Sequence, residues 1–204
     1  MIAVIAALEL DPATLERAYT GVVALVVVER LFELLLSRRN AKRVLARGGI
    51  EVGAGHYPTM VALHTLFLIS CVVEPAVLGR RARPAVFVAA LGVLAVSMAL
   101  RYWAIASLGD RWNTRVLVEP GVPAVATGPY RFLPHPNYVA VVLEIAALPL
   151  LGGAWATALL FSVLNALLLR VRLQVEERAL AEHCDWRGRA GGPVGGHAGE
   201  GSRG

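Results

Sequence analysis

Charge and cysteine are both scarce in this chain. Asp, Glu, Lys and Arg together make up 17% of its 204 residues, whereas hydrophobic residues make up 56%. The segments between the charge clusters are almost free of charge, and the clusters themselves lie at residues 29–51, 80–83, 101–119 and 170–189. A soluble monomer of this composition would expose a large apolar surface. The sequence therefore predicts an all-α integral membrane protein.

The few cysteines and the placement of the basic residues argue against three classes of protein: disulfide-rich, metal-binding and nucleic-acid-binding. There are two cysteines, Cys71 in an apolar run and Cys184 in a polar segment, so we expect neither a disulfide framework nor a metal site. The net charge is +5, but the basic residues adjoin apolar segments, as the positive-inside rule describes. Nucleic-acid binding requires a solvated basic face, so we expect no nucleic-acid partner.

The first half of the chain predicts three transmembrane helices, at residues 18–36, 58–78 and 85–105. The first contains Glu29, Arg30 and Glu33, which form either a solvated helix end or a polar stripe packed against other spans. The loop after the first span holds five basic residues against three at 80–83, and the larger count puts the N-terminus outside. No strand is predicted before the Gly-rich segment 48–55, so we interpret it as a plain linker.

The second half predicts a connector and a helical hairpin. Residues 106–136 are polar and rich in Gly, Pro and Arg, and connectors of that length are usually functional or disordered. The apolar run 138–169 is too long for one span of about 20 residues. Pro149, Gly152 and Gly153 interrupt it, so we expect a tight hairpin and about five spans in all.

This division predicts three regions along the chain. Residues 1–105 are the N-terminal transmembrane helices, and residues 106–186 are a core of connector, hairpin and C-terminal helix. Residues 187–204 are mostly Gly with Arg, Pro, Ser and His, which predicts a disordered tail.

Polar residues at the two ends of the hairpin form the candidate site. A hairpin returns to its starting side, so His135 and Tyr138 are expected near Arg172 and Glu176, which are one helical turn apart. Two interpretations are open: a turn set by the flanking prolines with an exposed ion pair, or a pocket at the boundary between water and bilayer. Glu144 lies within an apolar helix, where ionisable residues are costly and mark functional sites by default.

The motifs in this half have a recognisable order. Gly128-Pro129-Tyr130-Arg131 is followed by His135-Pro136-Asn137-Tyr138, the hairpin, and then Glu176-Glu177-Arg178-Ala179-Leu180. Over residues 100–180 this order resembles the isoprenylcysteine carboxyl methyltransferase family. The resemblance implies a membrane enzyme that uses S-adenosyl-L-methionine, with a cytosolic cofactor site built by the connector and the C-terminal helix.

The resemblance also implies roles for individual residues. Glu176 would hold the cofactor, and Arg172 would face the acceptor group. The remaining residues expected at the cofactor site are Val122, Pro123, Ala124, Val125, Tyr130, His135, Pro136, Asn137 and Tyr138. The chain departs from the family pattern at Pro134, where relatives usually have Arg, and in the Gly-rich tail, where they continue with an aromatic- and Arg-containing segment.

Methyl transfer to oxygen is an in-line displacement, for which the protein mainly supplies positioning. A carboxylate acceptor is already ionised and needs only a clamp, for which Arg172 is suited. A phenol or enol must first lose a proton, and Glu144 or His135 are the candidate bases.

The family resemblance leaves the acceptor open. In the bacterial branch, which the first half resembles, some members methylate hydroxyls of polyketide-derived pyrones or phenolic lipids, whereas others act on an isoprenylcysteine carboxylate. The chain is rich in Ala, Val, Leu, Arg and Gly, which is typical of a GC-rich bacterial genome. Prenylated protein ends would be scarce in such an organism, so we expect the lipid hydroxyl as the acceptor and the bacterial inner membrane as the location. The alternatives are a phospholipid N-methyltransferase, a nicotinamide-dependent reductase of a related membrane fold, or a non-catalytic membrane scaffold.

Overall fold

The computed structural model describes residues 11–184, and the predicted tail at 187–204 lies outside them. The described chain is an all-α protein with very little strand. Its α-helices are α1 (Pro12–Ala46), α2 (Tyr57–Leu78), α3 (Pro84–Leu108), α4 (Pro136–Ala147) and α5 (Trp155–His183). Short 3₁₀ turns lie at Ala54–His56, Gly109–Arg111, Gly128–Arg131 and Pro149–Gly152, and the two strands are β1 (Ile50–Glu51) and β2 (Leu117–Val118).

Within the described residues, α2, α3 and α5 are the helices long and apolar enough to cross a membrane. The second and third predicted spans are therefore confirmed almost to the residue. The count of about five spans stays a prediction, because Glu29, Arg30 and Glu33 interrupt the apolar part of α1. In addition, α4 has only 12 residues, a length of about 18 Å against the roughly 30 Å of a bilayer core.

Helix α1 is longer than the sequence indicated. The basic segment 38–43, expected in a loop, is its last part, and the helix ends at Ala46. No Gly or Pro occurs between Gly21 and Gly48, so nothing in this segment breaks the helix earlier.

The predicted hairpin is confirmed. Helices α4 and α5 pack against each other and are joined by the turn Pro149–Gly152. Gly153 follows with φ of 75°, a conformation that favours glycine, and a Cβ there would lie 2.9 Å from the backbone of Arg81. A Cβ at Gly152 would lie 2.3 Å from the Tyr19 ring. Both glycines therefore allow the turn to sit close against the other helices.

The apolar core lies at the hairpin-turn end of the bundle and includes residues from all five helices. Phe67 of α2 and Phe161 of α5 meet edge to face, with ring centroids 5.6 Å apart. The Tyr19 hydroxyl of α1 donates a hydrogen bond of 2.6 Å to the carbonyl of Cys71 on α2. This packing fixes the helices, so the open ends of the hairpin are presented at the other end of the bundle.

The interpretation of residues 48–55 as a plain linker is wrong. Strand β1 pairs antiparallel with β2 of the connector, with Ile50 opposite Val118. Ion pairs reinforce the contact: Arg47 lies 2.6 Å from Glu119, and Arg115 lies 3.2 Å from Glu51. The connector is thereby tied to the end of α1 and lies over the open ends of the hairpin.

Candidate active site

The two ends of the hairpin meet at Tyr138. Its hydroxyl donates to the Glu176 carboxylate and accepts a hydrogen bond of 2.7 Å from Nε of Arg172. His135 stacks on the Tyr138 ring with centroids 5.4 Å apart and an interplanar angle of 10°. The expected proximity of His135 and Tyr138 to Arg172 and Glu176 is confirmed.

His135 lies between two carboxylates. Its Nδ1 is 3.5 Å from Glu176 Oε1, and its Nε2 is 3.4 Å from Glu177 Oε1. Burial alone would lower the pKa of His135, but the hydrogen bond and charge of Glu176, with those of Glu177, raise it above its ordinary value. The imidazole is therefore favoured in its protonated form, in which it donates hydrogen bonds and cannot accept a proton.

A cavity of about 150 Å³, the connector pocket, lies between the connector and the ends of the hairpin. Its lining contains almost every residue predicted for the cofactor site. These are Val122, Pro123, Ala124, Val125, Tyr130, His135, Asn137, Tyr138 and Glu176, together with Arg172. Pro136 is the exception: it is fully buried in the first turn of α4, where its fixed φ suits the start of a helix.

The residues on the other side of this pocket were not predicted. Trp112, Asn113, residues 115–119, Leu180 and Cys184 also line it. Asn40 of α1 holds Trp112 in place by donating a hydrogen bond of 2.8 Å to its carbonyl. This contact joins residues far apart in the chain, so only the pairing of β1 with β2 could have suggested it.

A second cavity, the apolar groove, has a volume of about 630 Å³ and runs between α1, α2, α4 and α5. Most of its wall is aliphatic, including Leu31, Val61, Leu68 and Val141. The groove shares four residues with the connector pocket: Trp112, Asn137, Tyr138 and Arg172. The two cavities therefore meet at the Arg172 guanidinium.

Glu144 is not at this junction. It lies two turns along α4 from Tyr138, where it accepts a hydrogen bond from Arg101 of α3 and is 3.7 Å from Arg30 of α1. The structure pairs its carboxylate with guanidinium groups and does not bring it together with Arg172, and its role as a base stays a prediction. The solvated reading of the α1 charges is also wrong, since Glu33 is buried and lies 2.8 Å from Arg30.

Comparison with known proteins matches the region that holds the site. The model of the isoprenylcysteine carboxyl methyltransferase family matches residues 89–182, which include the connector, the hairpin and most of α5. The uncharacterized protein YpbQ of Bacillus subtilis is 42% identical over 161 residues, which cover 79% of this chain and 95% of YpbQ. The chain belongs to the isoprenylcysteine carboxyl methyltransferase family.

A more distant relative of this chain is an uncharacterized protein of Haemophilus influenzae. It is 24% identical over 159 residues, covering 78% of this chain and 92% of that protein. No solved structure gives a significant match. The family assignment, with the apolar helices, makes this chain a membrane protein of a methyltransferase family.

Members of the family use S-adenosylmethionine as the methyl donor, and the chemistry of the pocket lining suits a polar, cationic group. Two buried polar atoms of its lining, Trp112 Nε1 and Asn137 Oδ1, have no hydrogen-bond partner among residues 11–184. An unpaired buried donor or acceptor costs about 1–3 kcal/mol, so binding of a polar ligand that forms hydrogen bonds with these two atoms is favourable. The Glu176 carboxylate adds the negative charge that suits a cationic ligand.

Proposed function

We propose that this protein is an S-adenosylmethionine-dependent O-methyltransferase that acts on a lipidic acceptor within the membrane. The observation that carries the proposal is the meeting of a polar pocket and an apolar groove at one guanidinium, that of Arg172. A water-soluble cofactor and a lipid can reach such a junction from opposite sides.

On the cofactor side, Glu176, Asn137 and Trp112 would hold the polar groups of the cofactor, and residues 122–125 would cover it. When bound, the cofactor supplies an electrophilic methyl group. Tyr138 holds the side chains of Glu176 and Arg172 in fixed positions relative to each other, because its single hydroxyl bonds to both. His135 fixes the ring of Tyr138 by stacking on it.

On the acceptor side, Arg172 would bind the oxygen that receives the methyl group. Its Nε is engaged by Tyr138, and Nη1 donates to Met60 Sδ at 2.5 Å. Nη2 has no hydrogen-bond partner within residues 11–184, so it is available to an oxyanion. A charge-assisted bond of this kind orients the oxygen for in-line displacement.

The pairing of the three acid–base groups expected at the transfer site favours an acceptor that is already ionised at neutral pH. Among the described residues, Glu176 is bonded to Tyr138 and His135, and His135 is favoured in its protonated form. Glu144 is paired with Arg101. None of these groups is placed to take a proton from a simple phenol, whereas an acidic enol or a carboxylate needs no base.

Of these two acceptors, we infer that the enol of a polyketide-type pyrone lipid is the substrate, since the relatives are bacterial and prenylated protein ends are scarce in bacteria. An amine acceptor is disfavoured, because Arg172 repels an ammonium group. We place the protein in the inner membrane with the connector on the cytoplasmic side, where the cofactor is made. In this proposal residues 1–105 form the lipid-facing part, and 106–186 carry the transfer site.

The proposal is tested by incubating the purified protein in nanodiscs with labelled S-adenosylmethionine and, in separate reactions, a lipid extract or the membrane proteins of its host. We expect saturable binding of S-adenosylhomocysteine and transfer of the label to a lipid fraction. Transfer to protein termini would instead select the isoprenylcysteine carboxylate as the acceptor. Binding of a nicotinamide cofactor without S-adenosylhomocysteine binding would contradict the proposal.

A further inference from the structure

The proposed transfer reaction does not use a second group of buried charges. Arg30, Glu33, Arg101 and Glu144, here called the ionic cluster, come from α1, α3 and α4. Glu33 lies 2.8 Å from Arg30 and 3.6 Å from Arg101, and Arg101 also bonds to Glu144. Glu33, Arg101 and Glu144 are 5%, 3% and 4% exposed.

Pairing within the ionic cluster is incomplete. Glu33 Oε1, Arg30 Nε and Arg101 Nε are buried and have no hydrogen-bond partner among residues 11–184. A buried charged group that lacks a hydrogen-bond partner is strongly unfavourable. If these charges served only to join three helices, each buried donor and acceptor would be expected to have a partner within the cluster. The unpaired atoms therefore indicate a ligand.

The ionic cluster borders the cavity that would hold the acceptor. Arg30, Glu33 and Arg101 line the apolar groove, as does Val141, which lies on α4 between Tyr138 and Glu144. At 1.5 Å per residue, the offset from Tyr138 to Glu144 corresponds to about 9 Å along the helix. The groove is therefore polar at the Arg172 junction and polar again at the ionic cluster, and the rest of its wall is mostly aliphatic, with His64 and Asn165 as polar exceptions.

We propose that the ionic cluster is a second polar subsite of the groove, and that the acceptor is a lipid with a hydroxyl group on its chain. This inference rests on the proposed function and narrows its substrate class. A hydroxyl donates one hydrogen bond, which suits Glu33 Oε1, and accepts others, which suits the arginine Nε groups. A plain alkyl chain does neither, and an ammonium group donates but cannot accept, so it would leave the arginine Nε groups unpaired.

The test compares a hydroxypyrone with a straight saturated alkyl chain and a set of analogues with one hydroxyl moved stepwise along that chain. With the wild-type protein in nanodiscs, we expect one position of the hydroxyl to lower KM by about 10-fold relative to the plain lipid. In the Glu33→Gln variant, which keeps the side-chain volume but removes the charge, that preference should shrink to less than about 3-fold.

Glu29→Gln is the matched control, because Glu29 lies one turn earlier on α1, pairs with Arg30 and Tyr102, and does not line the groove. It should keep the preference. Equal KM for all lipids with the wild type would overturn the inference but leave the proposed function intact. A preference that survives in Glu33→Gln would also overturn it. Methylation of none of the lipids, without S-adenosylhomocysteine binding, would refute the proposed function itself.

Discussion

Two sets of buried polar groups border the same apolar groove, and they are built differently. The first, around Tyr138, joins the two ends of one hairpin, and a single hydroxyl links Glu176 with Arg172. The second, the ionic cluster, joins α1, α3 and α4 and keeps unpaired atoms. Contacts between the ends of a hairpin follow from local turns, whereas the ionic cluster depends on how three separate helices pack. Substitutions around Tyr138 should therefore change mainly cofactor binding and the rate of methyl transfer. Substitutions in the ionic cluster should change mainly the stability of the fold.

The largest effect is expected for Arg101→Met. This change leaves the Glu144 carboxylate buried without its main partner and removes the second partner of Glu33, so it should lower the free energy of unfolding by about 3–5 kcal/mol. The measurement is the thermal unfolding midpoint in detergent. Arg101→Met combined with Glu144→Leu should recover part of the loss, because it removes a buried charge together with its partner. A single variant as stable as the wild type would show that water already solvates the ionic cluster.

Arg172→Lys should lower kcat/KM for methyl transfer by about 100-fold, because lysine cannot reproduce the planar donor set that Tyr138 orients. Binding of S-adenosylhomocysteine, measured by calorimetry, should change little. Arg170→Lys is the control, since Arg170 is exposed two residues earlier on the same helix. Equal losses in both variants would remove Arg172 from the acceptor site.

Glu176→Gln should weaken S-adenosylhomocysteine binding by about 30-fold, the loss of one charge-assisted contact. The neighbouring Glu177→Gln provides the comparison, because the Glu177 side chain is 50% exposed and faces Nε2 of His135, on the other side of that ring from Glu176. If both substitutions weakened binding alike, the general negative charge of this region would account for the effect, without a specific role for Glu176.

The smallest effect is a dependence of stability on pH. The pKa of His135 is raised above its usual 6.5 in the folded protein, so its protonated form stabilises the fold fully below about pH 6.5. That contribution should decline as the pH rises through the raised pKa. Unfolding midpoints measured from acid to alkaline pH should therefore fall above neutrality, and His135→Asn should flatten the decline. An unchanged slope in the variant would assign the dependence to another group.

The sequence predicts the hairpin-end group well and the ionic cluster poorly. Pro149, Gly152 and Gly153 interrupt a long apolar run, so the hairpin and the meeting of Tyr138 with Arg172 follow directly. The partner of Glu144 does not follow, because Arg101 lies 43 residues away on another helix. Helix packing decides that contact, and no local pattern specifies it. Glu144 was consequently expected at the transfer site.

The strands are a second case in which local pattern is insufficient. β1 and β2 have two residues each, too few for an alternation of apolar and polar positions to be visible. Their pairing nevertheless decides where Trp112 and residues 115–119 lie, so half of the connector pocket was beyond prediction. Most of the cofactor-facing residues that were predicted come from motifs with a fixed order along the chain.

The pairing of β1 with β2 also bears on when the cofactor site can form during synthesis. β1 leaves the ribosome long before β2, and the connector pocket further requires Glu176 and Leu180 near the end of α5. At about 5–20 residues per second, the last helix is added several seconds after β1. A nascent chain can therefore insert its first helices without a working cofactor site, and binding competence arises only after α5 has been made.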